Sequence, residues 1–555
     1  MTEPTLHSKL LPHLAGYIDG AWVSAANGAR VPVEDPATGR VLAHVPRMGA
    51  AEAVRAVAAA ARVFDASGEG EHGLDAELRM REEWLKRIAA RILEEKDEFG
   101  RIVTLENGKP LAEGRGEAEY AAGFFANAAT QLGALRPKVL TARPRGHGWT
   151  VHHRPAGVAA LITPWNFPLA MIAKKLSAAI GAGCPVVIKP ALKTPLSMIA
   201  LFTVLEEVGI PPGRANLVIG DSGAIGKVLC EHPEVRIVSF TGSTAVGQSI
   251  LAATAPYVKR VALELGGNAP FLVFQDADLP NAVEHLVQNK LRASGQTCVC
   301  TNRVFVHHSV AESFARLLAD RVGRLHVGNG MDEGVDLGPL IDRDAFEKVE
   351  SHVQDALRRG ATAVTAPPGI GVASTGAAGT TAAGTAGTDA GTTGAAADCG
   401  AGTAGSAADS EVADTGAADT GAGDRNAAMT GSSSSGAHGF FFPPTVLRSV
   451  PESALCAQEE TFGPLFPIFE FDTEEEAVAA ANDTIHGLAA YLFTADEERA
   501  GRIIGRLRFG HVGHNTGTGP VPEAPFGGMK QSGIGREGGS EGLMEYVELQ
   551  TVPRS

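Results

Sequence analysis

Three residues in this chain have the types and settings that carbonyl chemistry asks for: a cysteine, a glutamate and an asparagine. Cys298 lies in Gly295-Gln296-Thr297-Cys298-Val299-Cys300. A thiol in a glycine-containing turn suits a nucleophile, although a lone cysteine is more often a buried structural residue. The pair is C-x-C, and no further His or Cys completes a zinc set, so no metal is expected. Glu264 opens Glu264-Leu265-Gly266-Gly267-Asn268 after an apolar run. A carboxylate beside two glycines can swing and act as a general base. Asn166 sits in Thr163-Pro164-Trp165-Asn166-Phe167-Pro168. The two prolines fix the backbone there, so the amide is a rigid donor for a developing oxyanion. Taken singly, it reads equally as an ordinary turn residue.

A fourth stretch points to a phosphate. Phe240-Thr241-Gly242-Ser243-Thr244-Ala245-Val246-Gly247 reads as a strand running into a Gly-Ser turn that opens a helix. Free N–H groups at such a turn favour an anion. The pattern is neither GxGxxG nor a P-loop.

The elements that must position these residues alternate. Strands are expected at Val158–Thr163, Cys184–Lys189, Asn216–Ile219 and Ile237–Thr241, with helices at Met171–Ala182, Pro195–Val208 and Ala224–Cys230. This rhythm implies βαβ units and a parallel sheet, with ligands at the carboxyl ends of its strands. The residues after Thr163, Lys189 and Thr241 are therefore the ones to inspect. The N-terminal region to about Gly133 reads mainly as helices, for example Ala51–Val63 and Glu77–Glu95.

The 555 residues suggest roughly three or four domain-sized units at ~150 residues each. A net charge of −15 argues against nucleic acid or an anionic membrane as the main partner. Met1–Gly16 shows no secretory pattern, and apolar runs such as Pro185–Ile188 are too short to cross a bilayer. Six cysteines do not make a disulfide framework in so long a chain, so a reducing, cytoplasmic setting is expected. From about Ala366 to His438 the chain is almost all Gly, Ala, Thr and Ser. With few large apolar residues it cannot offset the entropy of ordering, and it reads as a disordered insertion. Its flanks, a helix at Phe346–Arg359, a strand start at Ala361–Thr365 and a strand and turn at Phe440–Val450, place it inside a folded domain.

The strings ITPWNFP, VIKPA, FTGSTAVG, ELGGN, GQTC, EETFGP and PFGGMKQSGIGRE occur in this order. Together they resemble the aldehyde dehydrogenase superfamily, and the resemblance runs from about Tyr17 onward, excluding the insertion. It implies an α/β fold: a Rossmann-variant NAD(P)-binding domain (1–137 and 156–266), an α/β catalytic domain (267–530, with the insertion at 366–438) and a small β oligomerisation element (138–155 and 543–555). The implied chemistry is aldehyde oxidation to a carboxylic acid. Cys298 would be the nucleophile, Asn166 and the Cys298 N–H the oxyanion donors, and Glu264 the base that hydrolyses the thioester. Lys189 would reach the adenosine ribose. Trp165, Gly242 and Ser243 would lie against the pyrophosphate. Glu460 would hold the nicotinamide ribose, with Phe462 beside the ring, and Thr163, Pro164, Thr241, Val246 and Leu265 complete the expected cofactor wall. Pairing of edge strands, near Ala142–Arg154 and Tyr546–Val552, would build a homodimer or homotetramer.

The strings GQTCVC, EETFGPLFP, ENGKPLAE and KQSGIGREGG are most similar to the succinate-semialdehyde dehydrogenases. That likeness implies Arg292 and Lys174 as anchors for a substrate carboxylate. Lys is a poorer bidentate partner than Arg, and Pro520 or Val521 replaces an expected serine. Cys300 would be a redox partner able to close a disulfide with Cys298. Leu192 and Lys193 follow Lys189-Pro190-Ala191, with no carboxylate to repel a 2′-phosphate, so NAD or NADP is expected. An enzyme for a less acidic aldehyde, an enzyme passing its acyl group to coenzyme A, and a catalytically silent binding protein on the same fold remain alternatives.

Overall fold

A computed structural model describes residues 6–66, 73–142, 144–365 and 439–555. The expected insertion at 366–438 lies outside the described residues.

The first sheet has eight strands. Its central five are parallel, in the spatial order Arg260–Glu264, Val235–Thr241, Val158–Ile162, Val186–Lys189, Ala215–Leu217. The strand that comes first in the chain, Val158–Ile162, thus sits in the middle. Connections leave it in opposite directions, which opens a crevice beyond the carboxyl ends of Ile162 and Thr241. The crossover helices Ala170–Ala182, Leu196–Val208, Ser222–Glu231 and Thr244–Thr254 fill the alternating positions.

Helix Ala170–Ala182 is buried along its whole length. Such a helix cannot leave its first N–H groups to water. Glu117, fully buried on helix Leu111–Gln131, accepts from the backbone N–H groups of Leu169 and Ala170. Glu106 does the same for Leu196 and Ser197 at the start of helix Leu196–Val208. The N-terminal helices therefore satisfy the termini that the Rossmann-like layer buries.

That N-terminal region is not only helical. It opens with strands Gly16–Ile18, Ala21–Val23, Arg30–Glu34 and Val41–Pro46. The first two extend the eight-stranded sheet antiparallel, joined by Asp19 and Gly20, both at positive φ. A two-residue Asp-Gly loop of this kind matches strand twist and is the local signal for a hairpin. The first two strands have three residues each, too short to show alternation, whereas Arg30–Glu34 and Val41–Pro46 pair with each other in a separate antiparallel ribbon.

The second sheet has seven strands, in the order Thr362–Ala363, Thr445–Arg448, Leu465–Phe471, Thr301–His307, Ala269–Val273, Ala489–Phe493, His511–His514. All pairs are parallel except the first. Leu265–Asn268 alone link Glu264, at the end of the first sheet, to Ala269 in the second. A third, antiparallel sheet pairs Val547–Arg554 with Gly148–Pro155 and that strand with Lys138–Val139. The long strand covers Gly148–Pro155 of the expected stretch near Ala142–Arg154, and residues 144–146 form a short turn before it. No helix among the described residues is long and apolar enough to cross a membrane.

Candidate active site

A cleft of about 900 Å³ runs from the crevice of the first sheet to the edge of the second. Thr163, Pro164, Trp165, Asn166, Lys189, Thr241, Gly242, Ser243, Val246 and Leu265 lie on its wall with Glu460 and Phe462. So do Arg292, Lys174 and Cys298. Glu264 and Cys300 do not.

The turn carrying Cys298 is built under strain. Ala293, Ser294 and Gly295 all have positive φ. Two non-glycine residues in that region cost of order 1–3 kcal/mol each unless the surroundings hold them. Here Glu113 accepts from the Ala293 N–H at 2.8 Å and Ser294 donates to the Gly338 carbonyl at 2.8 Å. Gly295 is required, because a Cβ there would meet the Gly463 carbonyl oxygen at 2.4 Å. Gln296 is pinned at both amide atoms, donating to the Ala293 carbonyl and accepting from the Ile341 N–H. Gly267 lets the second sheet approach: its Cβ would lie 2.3 Å from the Cys298 carbonyl oxygen.

Cys298 is half-buried, and its thiol faces the cleft wall. Burial, aided by the charge of Glu264, pushes the thiol well above its usual range, while Lys174 opposes this. It therefore rests as a thiol and needs a base. Its backbone N–H makes no hydrogen bond among the described residues. Asn166 donates one amide N–H to the Gln296 carbonyl at 2.9 Å, which fixes the amide plane and leaves the other N–H uncommitted. The carbonyl of Asn166 accepts from Lys109, whose ammonium also pairs with Glu117 at 2.6 Å and lies 3.8 Å from the centroid of Phe167. A fully buried ion pair thus holds the backbone under the amide donor.

Cys300 shares the turn of Cys298. Residues 297–300 form a turn in which the Cys300 N–H donates to the Thr297 carbonyl, and the strand starts only at Thr301. The Cys300 thiol donates to the Gly295 carbonyl at 3.2 Å and lies 3.7 Å from the buried Lys290 ammonium. Both thiols are free.

Glu264 ends the strand Arg260–Glu264 and is buried. One carboxylate oxygen lies 3.4 Å from the Lys174 ammonium, and the other has no hydrogen-bond partner. Burial raises the acid to about 7, against the pull of Lys174. Lys174, expected as a second substrate anchor, lies on the cleft wall and is already engaged. Its ammonium is shared between Glu264 and Glu537, each at 3.4 Å, so two carboxylates already occupy it. Arg292 is different. It makes no hydrogen bond or ion pair among the described residues, and its only ring contact is with Phe167 at 5.3 Å. Gly519 leaves space for it, since a Cβ there would lie 2.9 Å from a guanidinium nitrogen. Pro520, rather than the more exposed Val521, stands on the wall where a serine was expected.

Two residues at this end escaped sequence reading. Tyr120 is on the wall, and its buried hydroxyl has no hydrogen-bond partner among the described residues. Glu537 pairs with Lys174 and, at 2.5 Å, with Lys175. Glu537 lies in the GIGRE string, so motif position was the available signal. For Tyr120, within an ordinary helix, there was none.

The other end fits a dinucleotide. The hydroxyls of Thr163 and Thr241, residues on the cleft wall, are buried and have no hydrogen-bond partner among the described residues. The buried Lys189 ammonium donates to the Pro190 carbonyl and is lowered to about 8 by burial. Ser243 caps helix Thr244–Thr254 through the Val246 N–H. Glu460 accepts from the Gly267 N–H at 3.1 Å and is raised to about 7 by burial. Phe462 sits at positive φ, edge-on to Trp165 with centroids 5.7 Å apart. Hydroxyls, one ammonium donor and one carboxylate acceptor are the polar set that phosphates and riboses would satisfy. Lys193 also reaches the wall but pairs with Asp342.

Comparison with known proteins agrees with this geometry. The Aldehyde dehydrogenase family model matches residues 22–379 and 396–552. A glutarate-semialdehyde dehydrogenase of Pseudomonas aeruginosa is 39% identical, covering 96% of both chains. An NADP-linked succinate-semialdehyde dehydrogenase of Escherichia coli is 40% identical, again over 96% of each. The crystal structure of an oxidoreductase from Marinobacter aquaeolei superposes with a TM-score of 0.84 at 48% identity, covering 99% of this chain and 100% of that one.

Proposed function

The chain belongs to the aldehyde dehydrogenase family, and we propose that within it the enzyme takes an aldehyde bearing a carboxylate, with succinate semialdehyde as the first candidate. The protein oxidises an aldehyde to a carboxylic acid with NAD or NADP.

In this reading the Cys298 thiol gives its proton to a base and its sulfur bonds to the aldehyde carbon. The carbonyl oxygen becomes an oxyanion, which accepts from the free Asn166 N–H and the Cys298 backbone N–H. What a bound nicotinamide supplies is a hydride acceptor; the carbon on sulfur is thereby oxidised to a thioester. Glu264 takes a proton from water, whose oxygen attacks the thioester carbon. The carbon–sulfur bond breaks, releasing the acid and returning Cys298. A water acceptor suits Glu264, whose pKa, raised to about 7 by burial, lets it hold and yield a proton near neutral pH.

The observation that carries the substrate class is the unpaired guanidinium of Arg292 on the wall shared with Cys298. A cation without a partner in a half-enclosed site favours an anionic ligand. The buried, unpartnered hydroxyl of Tyr120 offers a further donor. The two relatives described above are named for aldehydes of this class. A less acidic aldehyde is favoured only by Pro520, which removes a hydroxyl donor from the wall. The test is a panel with succinate semialdehyde beside neutral aldehydes of equal length, in wild type and Arg292→Met. A charge-assisted contact of ~1.5–3 kcal/mol predicts a KM rise of roughly ten- to a hundredfold for the acidic substrate only. An equal change for both aldehydes would reject the assignment.

We assign the three-stranded sheet to self-association. Its outer strand Val547–Arg554 is largely exposed, and Leu549 and Val139 show apolar side chains to solvent. An unpaired edge of this length favours pairing with a second copy. Sedimentation of wild type against Leu549→Lys decides it, a monomeric wild type being the contrary result. A cytoplasmic site of action completes the reading, since all five described cysteines are free thiols; cell fractionation tests it.

A further inference from the structure

Lys174 is better placed to act on the enzyme's own base than on the substrate. Its ammonium is held midway between two carboxylates that come from distant parts of the chain, Glu264 at 3.4 Å and Glu537 at 3.4 Å. Its side chain is 3% exposed, and its ammonium lies 5.1 Å from the Phe526 ring centroid. Lys174 borders the large cleft, whereas the Glu264 carboxylate does not. Glu264 instead borders a small void with Glu537 and Phe526. The cation thus stands between the cleft and the carboxylate that must act there.

We propose that Lys174 is a positioning residue that parks Glu264 outside the cleft and passes to Glu537 when the base swings in. The two glycines that begin two residues after Glu264, Gly266 and Gly267, leave the backbone beside it room to adjust. Glu537 is suited to receive the ammonium. Lys175 neutralises one of its oxygens at 2.5 Å, while the oxygen facing Lys174 has no hydrogen bond. The transfer moves no covalent bond. It exchanges one ion pair for another, so its cost stays small as long as the ammonium keeps one carboxylate. Losing both would strand a buried charge, which costs several kcal/mol.

The groups facing this triad are Lys175 on the same helix, Tyr120 on helix Leu111–Gln131, and Cys298 across the cleft. Lys174 and Lys175 favour the ionised form of Glu264, whereas burial and Glu537 disfavour it. Removing the Lys174 charge therefore raises the pKa of Glu264, and removing the Glu537 charge lowers it.

This inference rests on Glu264 as the deacylating base, so that assignment is tested first. Glu264→Gln must abolish turnover after one thioester equivalent; steady turnover would remove the base assignment rather than the role of Lys174. Lys174→Met, Lys174→Arg and Glu537→Gln are then compared by the pH dependence of kcat and by the pre-steady-state burst. Lys174→Met should move the acid limb of kcat up by about one pH unit or more, and Glu537→Gln should move it down. Lys174→Arg keeps the charge and should stay near wild type, which separates the effect from misfolding. Two results overturn the proposal. One is an unchanged acid limb in Lys174→Met. The other is a KM rise confined to carboxylate-bearing aldehydes, which returns Lys174 to the substrate.

Discussion

The side-chain amide of Asn166 donates to the backbone carbonyl of Gln296 at 2.9 Å, tying the end of the first sheet's central strand to the turn that carries Cys298. The bond orients the second amide N–H and at the same time fastens two chain segments. The two roles separate by kinetics. Asn166→Ala should lower kcat by ~10²–10³ with little change in KM, as expected for a donor that acts on developing charge. A variant with normal kcat but reduced thermal stability would leave only the fastening role.

The second expectation concerns pH. The working form of Glu264 is the carboxylate, and its acid is raised to about 7 by burial. Deacylation should be full above pH 7 and fall as pH drops below it, approaching tenfold per unit. The Cys298 thiol is also pushed up, so acylation rises with pH as well. Stopped-flow measurement of the reduced nicotinamide distinguishes the steps. If deacylation limits on the acid side, a burst of one equivalent appears there. A linear trace at pH 6 would place the limiting proton on Cys298 instead.

Stability should hinge on the pair beneath Asn166. Lys109 and Glu117 have no solvent-exposed side-chain surface, and Glu117 also holds the start of helix Ala170–Ala182. Lys109→Met strands a buried carboxylate and should cost ~3–5 kcal/mol in urea unfolding. Adding Glu117→Gln should recover part of that loss, because the remaining amide is neutral. A single variant as stable as wild type would mean that water or local movement reaches the carboxylate.

Thiol reactivity should follow exposure. Cys298 is half-buried on the cleft, whereas Cys300 is buried against Gly295 and Lys290. Brief alkylation with iodoacetamide, read by peptide mass spectrometry, should label Cys298 and spare Cys300. Peroxide should likewise reach Cys298 first. Equal labelling of both would mean that the turn opens readily, and a Cys298–Cys300 disulfide would then be accessible.

Much of this arrangement could be read in advance because it is local. Proline on either side of Trp165-Asn166 and glycine in ELGGN and GQTC mark places where the backbone is constrained, and those marks survive without a fold. The strand–helix alternation from Val158 to Glu264 was legible for the same reason. Partnerships across the chain were not. Lys174 carries no sign that Glu537 will lie beside it, and Cys300 gives none that its turn faces Lys290. Both depend on where the two sheets meet. Tyr120 sits in a helix whose sequence reads as ordinary packing, and only the cleft makes its hydroxyl conspicuous.

The seven-stranded sheet has a last feature with a practical side. Thr365 donates to the Pro444 carbonyl and accepts from the Val446 N–H, while the Val364 N–H bonds to Val446. Residues far apart in sequence are therefore stapled side by side at the sheet's outermost pair, away from the Cys298 turn. The strand ends on either side of residues 366–438 are thus fastened to each other by the sheet itself. Splicing a reporter between Thr365 and Gly439 is therefore expected to spare turnover, which an assay of such a fusion checks.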